Sequence, residues 1–376
     1  MTNDFVMNWK VASTQKVEYE ISYAPDLFEK TNTTLAGGPN ASRRLVFIDE
    51  NVHKTYGQMI TDYFNFNSPL SKIVLLKTDE EAKNLETALF IIQEMEAFGL
   101  LRRDEPVLAI GGGSLLDCVG FAASTYRRGI PYIRVPTTLL SMVDVSVAIK
   151  TGINHLERKN RLGSYYPPQK VFLYRKFIDS QTDRALCNGL GEIFKLALID
   201  DIGLFALLDE NANLLRAERF QYGAVPVKII NRSISVMLNH LQPNLWESDL
   251  KRAVDFGHSF SPLIEHHSLP ELMHGEAVAL DCLFSSCLSN FRGDLSNQDL
   301  EKIFQVCFKL GLPIFHRDFV DPHKLMESLQ DTMRHRNGEQ NLPLPIGIGF
   351  HNFANGVTLK DLQASASIFR EFSSLF

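Results

Sequence analysis

The chain has 376 residues, 45% of them hydrophobic and 22% charged, and a formal net charge of −6. Its length predicts two domains, and its composition excludes a disordered or fibrous chain. The acidic balance argues against broad nucleic-acid binding. Because no uninterrupted apolar run reaches the roughly 18 residues of a membrane span, we expect no membrane partner either.

The cysteines are five in number, scattered along the chain and without a CxxC pair. This pattern predicts reduced thiols in a cytoplasmic protein. The residues from Met1 to Asp4 lack the basic and apolar regions of a signal peptide, which favours the same compartment.

The first half of the chain, from about Val17 to Tyr174, alternates short β-rich runs with amphipathic stretches. Strands are predicted at 44–48, 72–76 and 106–110, and a helix at 79–98. Such alternation is typical of a parallel α/β sheet, here a Rossmann-like nucleotide-binding domain over residues 1–177.

The second half of the chain has mostly helical patterns. Helices are predicted at 188–200, 226–241, 250–267, 275–291, 297–310 and 322–333. These patterns predict an all-α domain over residues 178–376, with the boundary between domains falling within 167–177.

A glycine-rich turn follows the predicted strand at 106–110 and contains Gly112, Gly113, Ser114 and Asp117. Glycines at a helix N-terminus let backbone N–H groups approach a pyrophosphate, which favours dinucleotide binding. The turn is not a GxGxxG fingerprint, so an ordinary turn is equally compatible. Asp49 ends an earlier strand and either accepts ribose hydroxyls or caps the next helix.

A dense group of polar residues lies between 127 and 161, within otherwise apolar sequence. It includes Arg128, Thr137, Thr138, Asp144, Lys150, Asn154, Lys159 and Asn160. Cations, hydroxyls and amides at this density are expected where a phosphorylated polyol is held at many points. The alternative is a solvated charged face.

Two histidines beside glycines, His258 and His274, suggest a metal site, because neutral imidazole is a favoured zinc ligand. Glu192 and Lys195 fall on one helix face at i and i+3, where Glu192 would supply a carboxylate ligand. The alternatives are core histidines held by hydrogen bonds and a surface ion pair.

Taken together, these motifs resemble the sugar phosphate cyclase superfamily, whose founding member is 3-dehydroquinate synthase. The similarity extends from about Asp49 to Gly349 and includes, in the family's order, GGGSLLDCVGFAASTYRRG, VPTTLLSMVDVSVAIKTGINH, KNRLG, NGLGEIFK, DFGHSFSP and MHGEAVA. The combination is highly specific.

The resemblance implies a role for each matching residue. Glu192, His258 and His274 match zinc ligands, with Co²⁺ as a substitute metal. NAD contacts are matched by Asp49, Glu80, Lys83, Gly112, Gly113, Ser114, Asp117, Thr137 and Thr138. Catalytic or substrate-site positions are matched by Asp144, Lys150, Lys159, Asn160, Lys195 and Asp255, with Lys150 and Asn160 also at the substrate phosphate. Arg128 matches an arginine that reaches the phosphate in the neighbouring subunit's site, so the resemblance implies a homodimer.

The chemistry implied by the resemblance is a phosphate lyase reaction. A hydroxyl carbon passes hydride to NAD⁺, phosphate leaves by β-elimination, the hydride returns, and an intramolecular aldol step closes a carbocycle. NAD is therefore recycled within each turnover.

Departures from 3-dehydroquinate synthase narrow the expected substrate. At positions where that enzyme has Lys, Asn and a second His, this chain has Met237, Asp255 and Pro262. A substrate carboxylate would lose its cationic partners, which is costly in a buried site. Together with the run Pro243 to Glu247, these residues resemble the branch that cyclises sedoheptulose 7-phosphate, with 2-epi-5-epi-valiolone as the expected product.

Other readings remain open from the sequence. The product could be that of a related cyclase, namely 2-epi-valiolone, desmethyl-4-deoxygadusol or 3-dehydroquinate. The glycine turn and later histidines also resemble iron-type polyol dehydrogenases, which release NADH. A non-catalytic scaffold is the third reading. The role of the segment from Arg334 to Arg336 is open.

Overall fold

The structure is a computed structural model that describes residues 8–37, 43–156 and 158–376. Its first part contains a parallel six-stranded sheet and a separate hairpin. The strands are β1 Glu20–Tyr23, β2 Leu45–Asp49, β3 Lys72–Leu76, β4 Val107–Gly111, β5 Tyr132–Pro136, β6 Lys150–His155, β7 Arg158–Tyr165 and β8 Lys170–Leu173. The helices are α1 Glu50–Asn67, α2 Leu85–Phe98 and α3 Gly113–Thr125. The predicted strands and the parallel sheet are confirmed.

The sheet has the order β1-β8-β5-β4-β2-β3, and every pair of neighbouring strands is parallel. From β2 the chain moves outward to β3, whereas from β4 it moves the other way to β5. The order therefore reverses between β2 and β4. In open α/β sheets ligands bind at the carboxyl edge of such a switch point, which here lies between Asp49 and Gly111.

The antiparallel hairpin β6–β7 packs outside the main sheet against α3. The contact is close because a Cβ at Gly120 of α3 would lie 2.5 Å from the Thr151 side chain. Sequence patterns did not predict this hairpin. It carries Lys150, Lys159 and Asn160 of the polar group.

The second part of the chain is helical, as predicted. Its helices are α4 Asp183–Asp200, α5 Ile202–Ala217, α6 Val225–Leu241, α7 Ser261–Ser268, α8 His274–Phe291, α9 Asn297–Lys309, α10 Pro322–His335 and α11 Leu359–Ser373. A two-stranded hairpin, β9 Leu342–Gly347 and β10 Phe350–Ala354, lies between α10 and α11, so the region is not all-α.

The helix predicted at 250–267 is wrong in its first half. That half contains a short 3-10 turn, Ala253–Asp255, and a loop, and the helix begins only at Ser261. Gly257 has φ +73°, outside the helical region, and Pro262 lies in the first turn of α7. The glycine therefore ends any helix before His258, and the proline begins the next one.

Helices α4 and α8 cross in backbone contact through two glycines. A Cβ at Gly275 would lie 1.9 Å from the Asn188 carbonyl oxygen, and one at Gly191 would lie 2.1 Å from the Gly275 carbonyl oxygen. The Gly275 N–H also donates to the Asn188 side chain. This crossing sets Glu192, the next residue of α4, beside His274, the first residue of α8.

Within the described ranges, the structure contains no helix that is both long and apolar enough to span a membrane.

Candidate active site

Three donor atoms from three separate segments converge at the crossing of α4 and α8. They belong to Glu192, His258 and His274, and all lie within 4.8 Å of one another. The Nε2 atoms of His258 and His274 lie 3.6 and 3.1 Å from Glu192 Oε1. A set of two imidazoles and one carboxylate, open on one side, suits a catalytic zinc ion. The structure thus brings together the three residues that the motifs matched to zinc ligands.

The outer nitrogens of both histidine rings have partners that fix the orientation of the rings. His258 Nδ1 lies 3.1 Å from the Phe256 carbonyl oxygen, and His274 Nδ1 lies 3.0 Å from Glu265 Oε2. A proton on each Nδ1 leaves the Nε2 lone pairs facing the shared centre. Metal-bound histidines in proteins are held in this way, so the residues present fit a metal ion.

The two histidines of this donor set have very different pKa values. Burial and the nearby Lys195 lower the pKa of His258 to about 4. Burial also acts to lower the pKa of His274, but hydrogen bonds to Glu192 and Glu265 outweigh it and raise that pKa to about 10. The two rings differ because only His274 lies between two carboxylates. In the absence of a metal, His274 is therefore protonated, because its positive charge is stabilised by Glu192 and Glu265.

Lys195 and Glu192 form a buried ion pair, since their side chains are 2% and 1% exposed and Lys195 Nζ lies 2.5 Å from Glu192 Oε2. The surface-pair alternative is therefore wrong. Asp144 lies close by in a π-helical turn, Ser141–Val145, and its pKa is raised by burial and by the charge of Glu192, while Lys195 and Lys150 oppose that shift. Asp144 is therefore close enough to Glu192 and Lys195 for their charges to shift its pKa.

Asp281 anchors the loop that carries His258. It is fully buried, and its Oδ2 accepts hydrogen bonds from the backbone N–H groups of Ser259, Phe260 and Ser261 at 2.9, 2.6 and 2.8 Å. These N–H groups include the first of α7, so the carboxylate also caps that helix. Asp281 lies seven residues after His274 on α8, and one helix therefore positions two of the three donors.

The glycine turn lies at the carboxyl edge of the sheet, where β4 leads into α3. Gly112 is the N-cap of α3 and offers no side chain there. A Cβ at Gly112 would lie 3.4 Å from the Thr138 side chain, and one at Gly113 would lie 3.2 Å from that of Val145. The two glycines therefore pack closely against their neighbours and bring no side chain of their own to the backbone N–H groups at the N-terminus of α3. This arrangement fits a dinucleotide pyrophosphate.

Lys83 joins the cofactor edge to the β6–β7 hairpin. It is 6% exposed, and its Nζ lies 2.7 Å from Asp117 Oδ2 and 2.6 Å from Asn160 Oδ1. The loop before α2 also holds the hairpin through Glu80, whose carboxylate accepts from Asn154 at 2.8 Å. Residues predicted for NAD and for substrate therefore touch one another directly.

Asp49 has the alternative role that its position suggested. Its Oδ1 caps α1 by accepting from Asn51 and Val52, and its Oδ2 accepts from the Thr78 hydroxyl. Thr137 and Thr138 follow β5, the strand next to β4, where Thr138 bonds Ser141. Asp49, Thr137 and Thr138 all lie at the carboxyl edge of the sheet, at the ends of β2 and β5.

The cations of the polar group at 127–161 differ in whether they have a partner. Lys159 pairs with Glu265, and Lys150 Nζ lies 2.9 Å from Glu247 Oε1. Arg128 is exposed and has no hydrogen bond or ion pair to any described residue. Arg127 and Arg128 have φ of 48° and 62°, a left-handed pair that costs about 1 kcal/mol or more per residue.

Asp255 lies in a cationic environment, and this corrects part of the sequence argument. Its Oδ1 lies 2.6 Å from Arg252 NH2, and its Oδ2 lies 3.9 Å from Arg336 Nε. Met237 is buried in α6. However, Arg252 and Arg336 keep positive charge beside the site, so the cations are not lost. Arg252 is instead already paired by the chain's own carboxylates.

The sequence analysis missed three residues that shape the site, Arg252, Glu265 and Asp281. It named Glu247 only within the run Pro243 to Glu247 and left the role of Arg336 open. Glu265 and Asp281 carried a visible signal. Each is a single acid within an apolar helical run, SPLIEH or AVALDCLF. A buried acid in such a run requires a partner.

Two family models together match most of the chain. The model described as 3-dehydroquinate synthase N-terminal matches residues 73–188, and the 3-dehydroquinate synthase C-terminal model matches residues 189–335. The chain therefore belongs to the 3-dehydroquinate synthase family, which confirms the resemblance seen in its motifs.

Within the family, the chain is similar to 2-epi-5-epi-valiolone synthases. It is 43% identical to the one from Streptomyces albus, an alignment that covers 98% of this chain and 92% of the relative. A demethyl-4-deoxygadusol synthase from Trichormus variabilis is 33% identical over 98% of this chain and 92% of the relative.

A solved structure of a family member agrees with the fold. It is a 2-epi-5-epi-valiolone synthase from Streptomyces hygroscopicus subsp. jinggangensis with NAD⁺ and Zn²⁺ bound. The two chains superpose with a TM-score of 0.91 at 41% identity, over 96% of this chain and 99% of the other. The predicted fold class is thereby confirmed.

Proposed function

We propose that the chain is a sugar phosphate cyclase that converts sedoheptulose 7-phosphate to 2-epi-5-epi-valiolone with loss of phosphate. The observation that carries the proposal is the 43% identity to a 2-epi-5-epi-valiolone synthase over 98% of the chain. The converging donor set of Glu192, His258 and His274 supports it independently of that alignment.

We assign the metal to these three donors and NAD to the carboxyl edge of the sheet. When bound, Zn²⁺ acidifies a substrate hydroxyl and NAD takes up and returns a hydride. Lys195 keeps Glu192 ionised and in place through their 2.5 Å ion pair. Glu265 holds the His274 ring and Asp281 holds the His258 loop, so the donor geometry is set before any ligand arrives.

The cofactor contacts are proposed on position. Gly112, Gly113 and Ser114 surround the N-terminus of α3, where N–H groups and the helix dipole favour a pyrophosphate. Asp49, Thr137 and Thr138 lie at the ends of neighbouring strands. Glu80, Lys83 and Asp117 lie between this edge of the sheet and the β6–β7 hairpin, where Lys83 pairs with Asp117 and Glu80 accepts a hydrogen bond from Asn154.

We propose the substrate contacts from the charges of the side chains and from their positions near the donor set. Lys150 and Asn160 lie on the β6–β7 hairpin and would hold the phosphate, with Lys159 on the adjoining side held by Glu265. Asp144, whose pKa is raised, can accept or deliver a proton beside the metal cluster. Asp255 can accept hydrogen bonds from substrate hydroxyls.

We also propose that the protein is a cytoplasmic homodimer. The outer face of α2 exposes Leu85, Leu89 and Phe90 by 41%, 49% and 42% of their surfaces. Adjacent apolar side chains on one helix face favour a protein partner. Arg128, exposed on a strained turn, would then reach the phosphate in the partner's site. The five cysteines are free and buried, in keeping with a reducing compartment.

Incubation of the purified protein with sedoheptulose 7-phosphate, catalytic NAD⁺ and Zn²⁺ tests the proposal. We expect NMR to show 2-epi-5-epi-valiolone, with one phosphate released per product. Because NAD is recycled, absorbance at 340 nm should not accumulate. A His258→Ala variant serves as the control for contaminating activity.

Other outcomes would point elsewhere. A deoxygadusol, a different valiolone stereoisomer or the absence of a carbocycle would contradict the product assignment. Steady accumulation of NADH with a simple polyol would favour the dehydrogenase reading.

A further inference from the structure

Arg252 lies at the edge of the proposed substrate site, and the chain's own carboxylates occupy its guanidinium. Its NH2 and Nε lie 2.6 and 3.2 Å from the two oxygens of Asp255, a bidentate arrangement. Its NH1 is ion-paired with Glu247. Only 17% of the Arg252 side chain is exposed, so little of its donor capacity faces solvent.

Glu247 connects three segments around this arginine. It is ion-paired with Lys150 at the start of β6 and with Arg252, and it accepts a hydrogen bond of 3.2 Å from the Tyr165 hydroxyl at the end of β7. Its side chain is 11% exposed and its φ is +52°. Burial acts to raise the pKa of Glu247, but Lys150 and Arg252 outweigh it and hold the pKa below the ordinary value. Glu247 is therefore ionised.

The charges of Arg252 and of the residues paired with it directly or through Glu247 cancel: Lys150 and Arg252 contribute two positive charges, and Glu247 and Asp255 contribute two negative ones. Arg336 lies farther out, with its Nε 3.9 Å from Asp255 Oδ2. We propose that Glu247 and Asp255 act as a charge filter: they neutralise Arg252, so the site rejects ketose 7-phosphates that carry a carboxylate at C1 and accepts those with a hydroxymethyl group there.

A substrate carboxylate could reach Arg252 only at an energetic cost. To reach Arg252, it must either lie against two fixed carboxylates or push one aside and leave it poorly paired in a largely buried place. A hydroxymethyl group avoids both costs, because a hydroxyl can donate to Asp255 and accept from Arg252. The inference deepens the proposed function and rests on its assignment of the site.

Two matched probes isolate the charge. One is a seven-carbon 2-ketose 7-phosphate with a carboxylate at C1, and the other is its C1 carboxamide, which has the same shape without the charge. Calorimetry on the enzyme loaded with zinc and NAD gives the dissociation constant of each probe. Their ratio is compared between the wild type and the Glu247→Gln/Asp255→Asn variant. Glu105→Gln is the control, because Glu105 also forms a bidentate pair, with Arg43, at the opposite edge of the sheet.

We expect the wild type to bind the carboxamide more tightly, and the double variant to shift the ratio at least about tenfold toward the carboxylate. Glu105→Gln should leave it unchanged. If the double variant does not fold, Glu247→Gln alone carries the test, with a shift of about threefold or more. An unchanged ratio in a folded, zinc-loaded variant would overturn the charge filter. Product formation from sedoheptulose 7-phosphate by the wild type tests the proposed function separately.

Discussion

Glu265 is the side chain whose removal should show most directly how the metal cluster is held. It accepts from His274 Nδ1 at 3.0 Å and pairs with Lys159, and it is only 5% exposed. Its pKa lies at about 2, because His274 and Lys159 outweigh the effect of burial. It therefore links the proposed metal and substrate groups as a fixed negative charge.

We predict that Glu265→Gln lowers zinc affinity roughly 10- to 100-fold, the usual effect of removing the partner that orients a metal-binding histidine. Competition with a chromophoric chelator measures the affinity. Glu271→Gln, which breaks an exposed pair with Arg317, is the control. Zinc affinity equal to that of the wild type would show that Glu265 does not position His274.

Lys83 leads to a second prediction, because it contacts both the cofactor edge and the hairpin. Lys83→Met removes the partner of Asp117 and the donor to Asn160, so KM should rise about tenfold for NAD⁺ and for the sugar phosphate alike. Lys77→Met, in an exposed pair with Asp79, should change neither. A rise in only one KM would mean that Lys83 does not couple the two sites.

At the residue scale, the sequence identified the candidate metal-binding residues better than the residues that hold them in place. The specific motifs around Glu192, His258 and His274 identified these residues in the sequence. The structure brings them together. Arg252 and its pairing with Glu247 were missed, because a contact between separate segments leaves no local pattern in the sequence. Asp49 shows a limit of a different kind, since a strand-end carboxylate can cap a helix and face a ligand.

At the scale of elements, the crossing of α4 and α8 is the feature on which the metal cluster depends. We predict that Gly275→Ala destabilises the fold by about 3 kcal/mol, because the added methyl meets backbone at 1.9 Å and cannot be relieved by a rotamer change. Thermal unfolding and zinc content measure the effect, and both should fall.

Gly203→Ala is the matched control in the same part of the chain. Its Cβ would meet chiefly the Arg232 guanidinium, the far end of a flexible side chain. It should therefore leave stability within about 1 kcal/mol of the wild type. Equal stability of the two variants would show that the helices can separate without cost.

The elements that the sequence failed to predict have identifiable physical causes. Helices α5 and α11 were not predicted, although Asp201 and Thr358 cap them, and only α5 has a weak amphipathic pattern. The false helix at 250–267 came from reading apolar spacing across Gly257 and Pro262. The hairpins β6–β7 and β9–β10 were missed because part of each strand faces solvent, so hydrophobic alternation is incomplete.

At the scale of the whole molecule, the site belongs to neither half of the chain alone. The sheet contributes the cofactor edge, the hairpin contributes Lys150 and Asn160, and the helices contribute the metal donors. The domain boundary near residue 177 therefore stays a prediction about chain organisation, while function requires both halves together. A homodimer would add one further group to each site, Arg128 of the partner.

Subunit complementation tests that arrangement. We predict that Arg128→Ala and His258→Ala are each nearly inactive, and that mixing them after reversible dissociation restores activity. In a mixed dimer, the subunit with intact His258 receives Arg128 from its neighbour, whereas the other site lacks both. Random pairing at equal amounts makes half of the dimers mixed and restores one site in each, so about a quarter of wild-type activity should return. Phosphate release measures the recovery, and light scattering confirms the dimer. If Arg128 served its own subunit's site, each site of a mixed dimer would carry one defect and activity would stay at the level of the separate variants.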